Sequence, residues 1–265
     1  MAVVDGIDAL DRSLGRLFAV IGVFDGLHRG HDYLLGELRR EAAAGDARPA
    51  VITFDHHPDE ILTGTAPPLL CDPAERLQRL EAGGVGVTVV QTFDVALRET
   101  PYDAFIGGIA DRVELAGFLM TPDSAFGYQR AGTPETVAAL GRRLGFEVVV
   151  VPPFTLDGRP VSSSAIRAAI EGGDLATAER LLGRPYAVVG DAAASSLGTQ
   201  LDFPMPVALP PAGTYRAQVQ SAPPPTSEAP RLPASELDLI VGERSIEIPG
   251  ARLSGSRLRA TFAEP

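Results

Sequence analysis

The 265-residue chain has no lysine: all 23 of its basic residues are arginine. That absence excludes a phosphate loop built on a lysine and any Schiff-base chemistry. Phosphate must then be held by Arg, His or backbone N–H groups. Cysteine is nearly missing too, and Cys71 stands alone, so an intrachain disulfide is excluded and a reducing compartment fits. No apolar run approaches the roughly 20 residues that a membrane helix needs. The start, Met1 to Arg12, sets Asp5, Asp8 and Asp11 among apolar residues, without the basic flank of a secretory leader. Excess positive charge is lacking as well. A formal net charge of −11 argues against a nucleic-acid partner, which needs a clustered basic surface. These absences point to a soluble cytoplasmic protein acting on small molecules, with no membrane partner.

What is present reads as ordinary globular protein, 45% hydrophobic and 22% charged, long enough for a large domain or a large and a small one. Through about Leu182, short apolar runs alternate with helical stretches. Candidate strands are Arg16–Gly22, Ala50–Phe54, Val85–Phe93, Glu114–Thr121 and Phe146–Pro152. Several are apolar without alternation, as buried parallel strands are. Helix starts are marked by Asp72-Pro73-Ala74-Glu75, Thr100-Pro101 and Thr133-Pro134-Glu135. Strands alternating with helices predict an α/β fold with a parallel sheet. After Leu182 the texture changes to proline-punctuated short segments, Tyr186–Gly190, Thr214–Gln220, Glu236–Val241 and Arg257–Phe262. These predict a small all-β module with a loose loop over Ser221–Pro233. The division expected is 1–184 and 185–265.

The first strand runs into Gly22-Val23-Phe24-Asp25-Gly26-Leu27-His28-Arg29-Gly30-His31, and a helical stretch follows to about Ala44. A glycine-rich turn from strand to helix N-terminus favours an anion, through free N–H groups and the helix dipole. The spacing is not that of a dinucleotide fingerprint. His28 and His31 lie three apart, on one face of a helix if it has begun, and can donate hydrogen bonds to the oxygens of a phosphorus under in-line attack. Taken alone, the pair also reads as two solvated histidines. With His56 and His57 close in sequence, a metal site or a metal-dependent hydrolase is a further alternative.

His28-Arg29-Gly30-His31 resembles the His-x-Gly-His motif of the nucleotidyltransferase superfamily. The longer string Ile21–His31 resembles the opening of the bacterial bifunctional riboflavin kinase/FMN adenylyltransferases, the FAD synthetase family. Three further segments resemble that family in order: Thr53-Phe54-Asp55-His56-His57-Pro58, Asp123-Ser124-Ala125-Phe126-Gly127, and Val161-Ser162-Ser163-Ser164-Ala165-Ile166-Arg167. Leu182-Gly183-Arg184-Pro185-Tyr186 resembles its module junction. The resemblance covers roughly the first 190 residues and implies a Rossmann-like nucleotidyltransferase domain followed by a barrel-like β module. It implies transfer of AMP from ATP to FMN, with Mg²⁺. His28, His31 and Arg167 would be catalytic. Gly22, Phe24, Asp25, Gly30, Asp123, Ser163 and Ser164 would bind nucleotide, Asp123 also serving Mg²⁺. Phe54, His56, His57, Pro58 and Phe126 would line the flavin or acceptor site.

Five departures qualify the resemblance. His56 stands for a Pro, Ser124 for a Phe and Thr121 for a Gly, so a flavin- or nucleotide-binding homologue with an altered acceptor, or without turnover, is the alternative. In the C-terminal module the kinase signature survives only as Phe203-Pro204. Met205 and Val207 replace the oxygen-bearing Thr and Asn, and neither side chain ligates a hard cation. A degenerate module without riboflavin kinase activity is expected.

Overall fold

A computed structural model describes residues 1–222, 233–253 and 257–263. The elements, in chain order, are β1 (Ala2–Asp5), β2 (Arg16–Ile21), α1 (Arg29–Ala44), β3 (Arg48–Phe54), α2 (Pro58–Thr63), α3 (Pro73–Ala82), β4 (Val87–Gln91), α4 (Val95–Glu99), α5 (Tyr102–Ala110), β5 (Glu114–Met120), α6 (Pro134–Leu144) and β6 (Glu147–Val150). A short ribbon, β7 (Thr155–Leu156) with β8 (Arg159–Pro160), leads to α7 (Ser163–Glu171) and α8 (Leu175–Leu182). The remaining strands are β9 (Ala187–Ala194), β10 (Gly198–Asp202), β11 (Gly213–Ser221), β12 (Ser235–Val241), β13 (Ile246–Pro249) and β14 (Arg257–Phe262). Most of the expected 221–233 loop lies outside the described residues.

The chain groups into two compact units. One is Met1–Phe24 with Gly30–Pro67 and Leu77–Pro160; the other is Asp25–Arg29 with Pro68–Arg76 and Val161–Pro265. The composition change near 183–185 marks the end of the helices, whereas the units part at Pro160, so α7 and α8 group with the β module.

The first unit is built on a six-stranded sheet of order β1-β4-β3-β2-β5-β6, parallel at every pairing. Leu17–Val20 of β2 and Leu115–Met120 of β5 are buried throughout, as strands covered on both faces must be. Ala19, Ile52, Val89, Phe118, Met120 and Phe146 belong to its main core cluster. Burying one such Phe contributes about 2–3 kcal/mol. Gly117 is required by packing, because a Cβ there would lie 2.6 Å from the Phe18 ring. Helix α1 sinks Leu35, Leu38 and Ala42, the 3-and-4 spacing of one helix face. Helix α6 starts as expected: Thr133 caps it, Pro134 opens it, and Thr136 closes a reciprocal cap with Thr133. One expectation needs correction. Thr100 does not start α5; it ends α4, its hydroxyl donating to Ala96 O, because the preceding helix ends directly against the Pro101 turn. The edge strand β1 was not anticipated, being only four residues long.

The second unit carries a closed antiparallel barrel of order β10-β13-β12-β11-β14-β9. Alternation fills it: Ala217 and Val219, Leu239 and Val241, Ile246 and Ile248, and Leu258, Ala260 and Phe262 are buried, as a period of two requires. Tyr186 stacks on Phe262 with centroids 5.8 Å apart and donates its hydroxyl to Ala208 O at 2.6 Å.

Candidate functional site

In the parallel sheet the chain passes from β2 outward through β3 and β4, then returns to the other side of β2 with β5. The carboxyl ends of β2 and β5 therefore form the topological switch point, where open α/β sheets bind ligands. The histidine turn leaves β2 there, and Thr121–Phe126 leaves β5.

Gly22 N donates to Ile52 O at 3.0 Å, and the buried Thr53 donates its hydroxyl to Val23 O at 3.0 Å, so β3 fixes the exit from β2. Phe24, Gly26 and Leu27 then take left-handed φ values of 53°, 82° and 40°. Two of these are non-glycine residues in a costly conformation, which persists only where surroundings over-determine it. Phe24 is buried, and its ring lies 5.0 Å from that of His31. Phe24, one of the expected nucleotide contacts, is thus a buried ring packed beside His31. Helix α1 begins at Arg29, so His28 precedes it and His31 sits in its first turn.

Within the second unit, the turn is held from inside. The Asp25 carboxylate, 3% exposed, accepts Leu70 N at 3.0 and 3.1 Å on its two oxygens and Arg167 Nη2 at 2.5 Å. Arg167 Nε donates to Pro68 O at 2.7 Å. Asp25, expected to bind nucleotide, thus makes these contacts within the chain, and Arg167, expected to be catalytic, is the buried partner of its carboxylate. Ser163 donates its hydroxyl to Asp25 O at 3.0 Å, Ser162 caps α7 through Ala165 N, and Ser164 is exposed.

His28 is also buried, contrary to the solvated pair that sequence alone allows. Its pKa falls to about 4, chiefly because burial disfavours the cation, then because of Arg184, with Arg167 a smaller contribution; a hydrogen bond to its own backbone opposes the shift. Arg184, which the sequence reading quoted only at the module junction, lies against this turn. Its guanidinium donates to Leu27 O at 2.9 Å and to Gly26 O. A lone arginine beside a helix-ending glycine gave no signal of that role.

At the end of β5, Thr121 Oγ1 donates to Asp123 Oδ1 at 2.7 Å, Thr121 N donates to Ser124 Oγ at 2.9 Å, and the two hydroxyls are 2.9 Å apart. Two of the departures from the family pattern are thus one hydrogen-bonded pair, and it orients the exposed Asp123. Phe54 is buried edge-on to Phe93 at 5.3 Å, and Phe126 is half-buried, 6.4 Å from Phe105. His57 caps α2, its Nδ1 accepting Asp59 N at 3.2 Å, with Pro58 in the first helical position. His56 is exposed, with Nδ1 3.2 Å from Asp55. Asp55 is partly buried, which alone would raise its pKa. Hydrogen bonds from Thr92, Phe93 N and His56 outweigh that and lower it. Phe54 ends β3, His56 and His57 lead to Pro58 of α2, and Phe126 follows β5. Among the described residues, no three His, Cys, Asp or Glu side chains group as a metal site, which leaves the metal-hydrolase alternative without a ligand set. Asp123, the residue expected to serve Mg²⁺, is a single exposed carboxylate at this strand end.

A parallel sheet with a His-x-Gly-His turn at its switch point defines a Rossmann-like module of the nucleotidyltransferase type. Residues 11–165 match the family model described as FAD synthetase. The chain belongs to the FAD synthetase family. Among curated relatives, the bifunctional riboflavin kinase/FMN adenylyltransferase of Haemophilus influenzae is 33% identical over 207 residues, covering 77% of this chain and 67% of its own length. That of Pseudomonas fluorescens is 35% identical over 194 residues (72% and 61%), and that of Escherichia coli K12 33% over 187 (69% and 60%). The chain thus spans about 60–67% of the length of these relatives. A solved structure described as a macrolide-efflux protein from Streptococcus pneumoniae superposes with a TM-score of 0.78 at 20% identity, over 99% of this chain and 90% of that one, a likeness of fold.

Proposed function

We propose that the chain transfers AMP from ATP to FMN in the cytoplasm, giving FAD and pyrophosphate, and that it does not phosphorylate riboflavin. The nucleotidyltransferase module is assigned to 1–184 and the degenerate kinase-like module to 185–265. The observation that carries the reading is the strained, internally braced turn that presents His28 and His31 where β2 ends. A phosphate oxygen of FMN attacks the α-phosphorus of ATP, and the bond to the β-phosphate breaks with its electron pair leaving on pyrophosphate. Mg²⁺ bound with the nucleotide screens phosphate charge. The chain's part is alignment and stabilisation of charge on the phosphorus oxygens.

His28 is neutral in the free protein near pH 7. A phosphate anion beside it favours the protonated imidazole, so nucleotide binding draws a proton onto it and supplies the donor that the oxygens need. His31 acts from the first turn of α1, where the helix dipole favours the phosphate anion. Ser163 and Ser164, at the start of α7, and Asp123 contact the nucleotide in this reading, while Asp25 and Arg167 position the turn.

The experiment is incubation of the purified protein with ATP, Mg²⁺ and FMN, with FAD resolved by chromatography and pyrophosphate measured. His28→Ala and His31→Ala are each expected to lower turnover by about two orders of magnitude or more. Near-normal turnover in either folded variant refutes the assignment. The bonded Thr121–Ser124 pair beside Asp123, with the exposed His56, supports a second reading, an altered acceptor. It predicts pyrophosphate release with another flavin phosphate but not with FMN.

A further inference from the structure

The segment Pro68–Arg76 lies far from the barrel in sequence but folds in the same compact unit with it and with Asp25–Arg29. Three links tie it to the barrel side. Leu69 pairs with Val207 as a parallel bridge, Leu69 N donating to Pro206 O at 2.8 Å and Ala208 N to Leu69 O at 2.9 Å. Arg257 of β14 reaches Asp72 at 2.5 Å and is itself braced by Asp191 of β9 at 3.4 Å. Arg259 of β14 reaches Glu75 at 2.5 Å. These side chains are only 11–26% exposed, Asp191 apart, so their attraction is less screened than that of a surface pair.

At its other face the same segment holds the histidine turn. Leu70 N is bonded to both oxygens of Asp25, Pro68 O receives Arg167, and the Leu70 side chain fills the space at Gly26, where an added Cβ would stand 3.0 Å away. The path from barrel to turn is therefore short: Arg257 and Arg259, Asp72 and Glu75, Leu70, then Asp25 and Gly26, two residues before His28. Asp72 couples both ends, since Oδ1 caps α3 while Oδ2 meets Arg257.

We infer that the barrel serves this chain as a brace, its β14 arginines acting as positioning residues that hold the 68–76 segment against the turn presenting His28. The inference rests on the adenylyl-transfer reading for its consequence on rate. It gives the barrel a task that needs none of the oxygen ligands missing at Met205 and Val207. Val207, where the kinase signature has lost its Asn, carries the bridge to Leu69 through its neighbours' backbone.

The test compares wild type with R257Q/R259Q, reading two quantities. The first is hydrogen–deuterium exchange of amides in 22–31 and 68–72. The second is FAD formation from ATP, Mg²⁺ and FMN. Exchange in both segments is expected to rise about tenfold, and kcat to fall about tenfold with the KM for ATP little changed, as displacement of a catalytic group does. D72N/E75Q, which leaves every barrel residue in place and keeps a capping side chain at 72, should reproduce both effects. It is the variant to read if R257Q/R259Q fails to fold. Combining the two doubles should add nothing further. Unchanged exchange overturns the brace. Raised exchange with unchanged kcat overturns its positioning role. If wild type forms no FAD, the adenylyl-transfer reading fails, and the exchange measurement still decides the brace.

Discussion

Lowering the pH should destabilise the fold through His28 by an amount that the structure bounds. In the unfolded chain this imidazole titrates near 6.5, whereas in the fold burial and Arg184 bring it to about 4. Between those values the unfolded state binds the extra proton, so stability rises with pH across that window and is lost as pH falls through it. Above 6.5 the contribution is constant. The difference of about 2.5 pH units corresponds to about 3 kcal/mol at full extent, a large share of a typical domain's stability. Carboxylates also titrate in acid, Asp55 among them, so wild type alone cannot isolate the histidine. His28→Gln keeps an amide of similar reach and removes the titration. Urea unfolding of both proteins from pH 7.5 to 4 should show the wild type losing about 3 kcal/mol relative to H28Q, most of it below pH 6. Parallel curves, or a His28 pKa near 6.5 by NMR titration, would refute the claim that the turn is buried as described.

Asp25→Asn keeps the shape but leaves the Arg167 guanidinium buried without its counter-charge, which costs about 3 kcal/mol or more. A fall in melting temperature on the order of 10 °C is expected, and an unchanged melt would show that the pair is solvated. The protein is also expected to form no FMN from riboflavin, ATP and Mg²⁺. Steady FMN production that survives His28→Ala would show a working kinase in the C-terminal module.

Much of the fold was legible in the sequence because its signals are local. Five of the six sheet strands announced themselves as short apolar runs, and Thr133-Pro134 marked the start of α6 by chemistry within one turn. The histidine turn was readable for the same reason: strand, glycines, two imidazoles and helix are contiguous. The proline-punctuated short segments that overlap β9, β11, β12 and β14 likewise predicted an all-β module, although β10 and β13 escaped notice as short segments.

Tertiary structure alone decided what those signals face. Sequence offered Asp25 and Arg167 as ligand-contacting groups, since polar residues in a glycine-rich turn and after a serine cap usually meet solvent or substrate. They lie 142 residues apart and find each other in the interior, a pairing that no local period encodes. Arg184 and the 68–76 segment were invisible as parts of the site because their roles arise from backbone carbonyls and amides, which every residue has. Burial of His28, and with it the drop in its pKa, follows from that assembly. The sequence determined which polar groups stand together in the turn; the packing around them decided which are buried and which hold the others in place.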